Sequence, residues 1–459
     1  MSATGRRAAV TILGVFDWTI RILPPIAVAM GLARVTLLPN TAPNVWADDL
    51  GRGDGGTSMR VHTLFRRGLG VKVAAAVFAT AAAIGFTAAP ASAAPFMPAT
   101  DSDPFYAEPA GIEGVANGDV LRVQSLPSPF PGSSAQKVLF RSTNSQGEPI
   151  AAVTTVIVPD GGARHDLLSY QPFTNSLGPQ CAPSHQIFRG GLQEQQLIGL
   201  ALARGVAVNI PDHLGPTSAY GAARLGGTIT LDSIRAVQSS PGFRVGDSST
   251  VLAGYSGGAM ATAYAGVLAP TYAPDLDLVG LSAGGTPVNL EAIARTLGVA
   301  PNPLFGLGFA ASLGLEREYP NEVSLSEQLN GRGVALANQI RNACTDQIVD
   351  AGANMKIADV VNSGSLANTQ AGVDALNRNS VQMFPGAPRM PVLLYQGADD
   401  QLTPTSRVLA TAAHWCRQGT RVQTVIVPGD HGSTIASGVP IALSYLNDRL
   451  AGAPAPSTC

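Results

Sequence analysis

The chain predicts an α/β architecture: a mostly parallel sheet with helices on both faces and an inserted, mainly helical cap. Three observations carry this expectation. Short apolar runs rich in β-branched residues recur along the chain, most of them hydrophobic throughout, as strands buried on both faces are. Helical stretches separate them, the alternation by which parallel strands return in one direction. Between Val288 and Arg389 no buried-strand signal occurs, so this stretch reads as an insertion between two sheet strands, where specificity is commonly carried.

With 459 residues, 45% hydrophobic and 13% charged, at a net charge of −2, the chain is too apolar for disorder and long enough for one large domain plus an insertion. Its near-neutral balance, without a clustered basic surface, excludes a nucleic-acid partner. No internal repeat is present.

The N-terminal region differs from the rest. An apolar stretch from Ala8 to Pro39 is broken by Asp17, Arg21 and Pro24-Pro25, which makes a poor membrane span. A second beginning stands at Met59. Arg60, Arg66 and Arg67 form a positive region, Val73 to Ala89 an apolar one, and Ala91-Ser92-Ala93 a small-residue cleavage site. Residues 59–93 therefore read as a secretory signal, and 1–58 as an upstream extension ahead of the true initiator, Met59. The alternative is a genuine extension followed by an internal membrane anchor. The twin arginines at 66–67 leave the export route open. The expected mature domain is 94–459, with its cap at about 289–390.

Within that domain, Val138 to Phe140 and Ala151 to Val158 read as early antiparallel strands. His165 to Gln171 and Gly205 to Ile210 follow as short apolar runs, and Thr228 to Val237 is helical. Thr250 to Gly254, Leu276 to Ser282, Pro391 to Gln396 and Val422 to Val427 complete the strands. The cap begins with Leu290 to Leu315, rich in Ala, Gly, Leu and Phe, and continues as amphipathic helix. Its apolar first part would expose a large patch if it faced water, so it is expected to shut over the site, with its glycine-rich portion free to move. Gly306 to Ala311 superficially resembles a dinucleotide fingerprint, but it follows no strand and has no acidic partner at the required distance.

The strongest chemical signal is Gly254-Tyr255-Ser256-Gly257-Gly258, between the strand Thr250 to Ala253 and a small-residue helix, Ala259 to Leu268. That placement puts Ser256 on a sharp turn with its hydroxyl exposed above the sheet, at a helix N-terminus that favours developing negative charge. Serine needs a base, and the base a carboxylate that fixes its tautomer. In the α/β-hydrolase arrangement these follow in the order Ser, acid, His. His414 and His431 come after Ser256; His414 sits mid-helix, whereas His431 lies in a loop directly after the strand Val422 to Val427. For the acid, Asp399 and Asp400 compete after Pro391 to Gly397, and the spacing Gly-x-x-Asp-x-x-Thr-Pro selects Asp400. Asp430 reads as a loop residue.

An oxyanion hole needs two donors. Gly257 N–H is one; the other is expected as a backbone amide of Thr174 or Asn175, in the loop Ser169 to Ser176. No cofactor is needed for acyl transfer. No metal is expected, because there is no His-Glu-x-x-His and the remaining histidines lack ligand spacing. Cys181, Cys344, Cys416 and Cys459 contain no CxxC pair. In an exported chain they suggest two disulfides, with three possible connectivities; four buried thiols are the alternative.

At this point the sequence resembles the secretory lipase family, the fungal lipase A type and its actinobacterial relatives. The matching pieces are Tyr170-Gln171 with Asn175-Ser176, Cys181 to Ser184, Pro211-Asp212 with Gly215-Pro216 and Tyr220-Gly221, Leu231-Asp232 with Arg235-Ala236, Gly254 to Gly258, and Asp400 through His431. They span nearly all of residues 106–459. The resemblance implies a capped α/β hydrolase acting on carboxylic esters, typically acylglycerols. It also implies disulfides Cys181–Cys344 and Cys416–Cys459. One departure stands out: this chain has Asn175 where that family often has aspartate.

The leading expectation is thus a secreted lipase that takes a small-molecule or lipid ester and meets the lipid interface through its cap. A soluble short-chain esterase or acyltransferase with the same triad is the alternative, and a non-catalytic binding protein that kept the fold is a third. Nothing in the sequence addresses oligomeric state.

Overall fold

The computed structural model describes residues 94–162, 166–362 and 366–459. The expected extension 1–58, the leader 59–93 and His165 lie outside these. Among the described residues the strands are β1 (Val120–Leu126), β2 (Ser133–Thr143), β3 (Pro149–Pro159), β4 (Asp166–Gln171), β5 (Ala207–Pro211), β6 (Ser249–Tyr255), β7 (Leu278–Gly284), β8 (Val392–Gly397) and β9 (Val422–Val427). They form one sheet in the order β1-β2-β3-β5-β4-β6-β7-β8-β9. The pairs from β1 to β5 along that order are antiparallel, and every pair from β5 to β9 is parallel.

β1 went unpredicted, for a physical reason. It is an edge strand, largely half-buried, and Arg122, Gln124 and Ser125 dilute its apolar pattern. The central strands are legible because both of their faces are covered. Leu252 and Leu394 point into the core shared with helices on one side, whereas their neighbours Val251 and Leu393 join the core on the other.

Helices α1 (Pro183–Gln186), α2 (Gln195–Leu202), α3 (Ala223–Ser239) and α4 (Gly257–Tyr272) precede β7. The cap comprises α5 (Leu290–Leu297), α6 (Phe305–Glu318), α7 (Leu325–Gln328), α8 (Gly331–Ile340), α9 (Thr345–Gly352) and α10 (Gln370–Arg378), all between β7 and β8 as expected. α11 (Thr405–Arg417) and α12 (Thr434–Leu450) follow. α3, α4 and α11 contribute Ile229, Ala263 and Trp415 to one core; α2 and α12 contribute Ile198 and Tyr445 to the other.

One expectation about the cap is corrected. Its glycine-rich part is a buried helix, α6, and its glycines serve contact rather than mobility. A Cβ on Gly306 would lie 2.1 Å from Ile348 O, and one on Gly314 2.0 Å from Tyr220 O, so both positions let backbones approach closely. Phe305 and Phe309 are buried in the cap interior, their rings stacked 6.1 Å apart. The fingerprint-like run Gly306 to Ala311 lies inside this helix and forms no phosphate-binding turn.

Two features anchor the cap. Arg317 of α6 is buried and donates to the carbonyls of Phe96, Leu177, Thr217, Ser218 and Arg341. Cys344 is joined to Cys181, and Cys416 to Cys459, the pairing that the resemblance implied.

Candidate active site

Ser256 occupies the turn between β6 and α4 at φ 50°, ψ −119°, a backbone region costing about 1–3 kcal/mol for a side chain other than glycine. The flanking glycines make the turn possible. A Cβ on Gly258 would fall 1.9 Å from Gln171 O, and one on Gly254 2.6 Å from Gly258 C. The parallel strands all end on this side of the sheet, so the loops after β4, β6, β8 and β9 converge here.

They bring Ser256, His431 and Asp400 into one hydrogen-bonded line. His431 Nε2 lies 2.8 Å from Ser256 Oγ, and its Nδ1 lies 2.7 Å from Asp400 Oδ2. Tyr255 O–H donates to the carbonyl of His431, and His431 N–H donates to Gln401 Oε1 at 3.3 Å, which fixes the histidine backbone. Burial of Asp400 by itself would raise its pKa. The hydrogen bond and charge of His431, with donors from Thr403, outweigh it, and the carboxyl sits below its ordinary value. Asp400 accordingly remains an anion able to stabilise an imidazolium.

The competing residues are placed elsewhere. Asp399 is exposed, and its N–H donates to Gly429 O. Asp430 is exposed and accepts from Ser433 N–H and Oγ at 2.8 and 2.7 Å. His414 lies in α11, its Nε2 2.8 Å from Gln418 Nε2.

The oxyanion side differs from expectation. Gly257 opens α4, as expected. In the loop after β4, however, Thr174 N–H is taken by Pro172 O at 2.7 Å, and Asn175 N–H by Thr345 Oγ1 at 3.2 Å. Neither backbone amide is free to receive an oxyanion in this arrangement. What the loop presents toward Gly257 is the Asn175 side chain, 4% exposed, whose Oδ1 has no hydrogen-bond partner and lies 2.0 Å from where a Gly257 Cβ would sit. A half-turn about its terminal torsion exchanges Oδ1 for the Nδ2 donor.

Sequence reasoning missed the residues that hold these groups. Gln396 of β8 donates to Asp400 Oδ2 at 2.7 Å, and Thr403 stands inside the spacing that selected Asp400 without a role being read from it. Glu194 is buried beside the loop after β4; it accepts from Tyr170 O–H at 2.7 Å and from Phe173 N–H at 3.1 Å. Burial pushes its pKa up to about 8. Other motif residues serve the scaffold. Asp212 takes both Ser184 N–H and Oγ–H, tying β5 to α1, and Asp232 takes Ser142, Tyr272 and Arg235.

The cap holds a cavity of about 480 Å³ lined by Leu290, Ala294, Leu297, Phe305, Phe309 and Ala311, among others. Ala311, on the cavity wall, packs on Gly221, and the neighbouring Tyr220 ring borders Gly257. Among the described residues, no group of three or more His, Cys, Asp or Glu is placed to hold a metal ion.

The chain is similar over most of its length to known lipases and esterases. A secreted triacylglycerol lipase of Malassezia furfur is 30% identical over 380 residues, covering 78% of this chain and 80% of the relative. A probable inactive lipase of Mycobacterium tuberculosis is 33% identical over 388 residues, covering 78% and 84%. Lipase A of Candida antarctica, solved in its closed state, superposes with a TM-score of 0.73 at 28% identity, over 78% of this chain and 89% of that one. A cell-wall-degrading esterase of Xanthomonas oryzae, at 18% identity and a TM-score of 0.61, shares the fold. With the secretory lipase profile matching residues 191–458, the chain belongs to the secretory lipase family.

Proposed function

We propose that the protein is an exported lipase that hydrolyses lipid esters through an acyl-enzyme on Ser256. The unbroken line Ser256 Oγ–His431–Asp400 carries this reading. His431 takes the serine proton as Oγ attacks the ester carbonyl, Asp400 holds the imidazole and stabilises its charged form, and the protonated ring then hands the proton to the leaving alcohol. Water repeats the sequence on the acyl-enzyme and frees the fatty acid. The oxyanion is received by Gly257 N–H and the Asn175 carboxamide, with Nδ2 turned inward.

The apolar cap cavity supports a lipid substrate, since burial of acyl methylenes is worth about 0.8 kcal/mol each and selects for long chains. The complete hydrogen-bonded triad weighs against a non-catalytic role. The proposed enzyme starts at Met59 and is cleaved ahead of Ala94; N-terminal sequencing of secreted material tests this, and a start before Met59 rejects it.

The test of function compares a soluble acetyl ester with an emulsified long-chain triglyceride. We expect turnover of both, faster on the triglyceride, and loss of both in Ser256→Ala with the fold intact. Retention of more than about a tenth of the activity by that variant removes Ser256 as nucleophile.

A further inference from the structure

The loop after β4 is held from two sides through its own amides. On one side Phe173 N–H donates to Glu194. On the other, Asn175 N–H donates to Thr345 Oγ1 at 3.2 Å, and Leu177 N–H to Ala343 O at 3.0 Å. The acceptors on this second side belong to the cap, at the entry to α9, flanking Cys344, which is covalently tied to Cys181. Thr345 thus fixes the residue whose buried carboxamide oxygen, without a hydrogen-bond partner, stands over Gly257. A buried amide left without an acceptor is unfavourable enough to turn this peptide in search of another partner. Any such turn carries the Asn175 side chain with it.

We propose that Thr345, a cap residue, is a positioning residue for ester hydrolysis: its hydroxyl sets the orientation of Asn175 and thereby the second half of the oxyanion hole. The inference rests on the reading of Asn175 as an oxyanion donor. Thr345 acts through Asn175 rather than on the substrate. Its consequence is that the cap takes part in the chemical step, including for substrates too short to fill the cap cavity.

The experiment measures kcat and KM on a short soluble ester, and the rate of inactivation by a phosphonate ester, whose adduct mimics the tetrahedral intermediate. The proteins are the parent, Thr345→Val, Thr345→Ser, Asn175→Ala and the Thr345→Val/Asn175→Ala pair. Asn175→Ala should lower kcat about 100-fold, the scale of a lost oxyanion donor. Thr345→Val should lower kcat and inactivation about tenfold, as a misplaced group does, with KM changed less than about twofold. Thr345→Ser should restore the parent values, and the double variant should be no worse than Asn175→Ala. Thr345→Ala replaces the valine variant if the latter does not fold.

If Asn175→Ala keeps its kcat, the oxyanion reading fails and takes the proposal with it. If Asn175→Ala loses kcat while Thr345→Val keeps or raises it, or if the two losses multiply in the double variant, the proposal is overturned and the oxyanion reading stands.

Discussion

Thr403 grips Asp400 with its backbone and its side chain at once, its N–H donating to Oδ1 and its hydroxyl to Oδ2, each at 2.8 Å. With Leu402 N–H and Gln396 Nε2 also donating, the carboxylate has little rotational freedom and presents Oδ2 to His431. Asp399, one residue earlier, has an exposed side chain.

From this asymmetry, Asp400→Asn should lower kcat/KM by about 10³–10⁴-fold, because the amide supports the wrong imidazole tautomer. Asp399→Asn should change it less than about threefold, as solvated surface substitutions do. Thr403→Val, which keeps the N–H bond but not the hydroxyl, should fall between them. Steady-state kinetics on a soluble ester decide the order, and a larger loss at Asp399 than at Asp400 would transfer the role.

Glu194 supplies a pH dependence. Its folded pKa is raised to about 8 by burial, above an unfolded value near 4.5. Between those values the folded state binds more protons than the unfolded one, so stability falls as pH rises. This contribution is fully present below the unfolded pKa and is lost as pH passes through the folded one. Glu194→Gln keeps acceptors for Tyr170 and Phe173 without the titration. Its melting temperature should gain on the parent from pH 5 to pH 9 by roughly 3 °C or more. Parallel melting curves across that range would refute the assignment.

Arg317 should be the most costly single position in the cap. Its guanidinium serves five carbonyls, and burial lowers its pKa to about 10. Arg317→Met strands those acceptors and should destabilise by about 3–5 kcal/mol. Arg317→Lys keeps a charge but loses the planar fork, so it should recover only part of this. Chemical denaturation measures both, and equal losses for Met and Lys would show that the geometry of the fork is what matters.

The cap cavity gives a specificity test. Ala294 lines it, and Ala294→Trp should fill part of its volume of about 480 Å³. Hydrolysis of a long-chain ester should drop at least about tenfold relative to an acetyl ester, given ~0.8 kcal/mol per excluded methylene. Equal effects on both substrates would return the cavity to a purely structural role.

What the sequence by itself determined was whatever local chemistry dictates. Ser256 announces itself because its turn tolerates little but glycine at 254 and 258, and His431 because it stands in a loop directly after the β-branched run Val422 to Val427. Asp400 was separable from Asp399 by spacing, and Thr403 within that spacing turns out to be what holds it. The edge strand β1 escaped because half-burial leaves a weak apolar pattern. Only the tertiary structure decided matters that depend on residues far apart in the chain. The glycines of α6 look like flexibility until Tyr220 and Ile348 are seen packed against them. The amides of Thr174 and Asn175 look available until Pro172 and Thr345 are found occupying them. Whether a backbone donor is free depends on which acceptor the fold brings to it, and Thr345 arrives from 170 residues away.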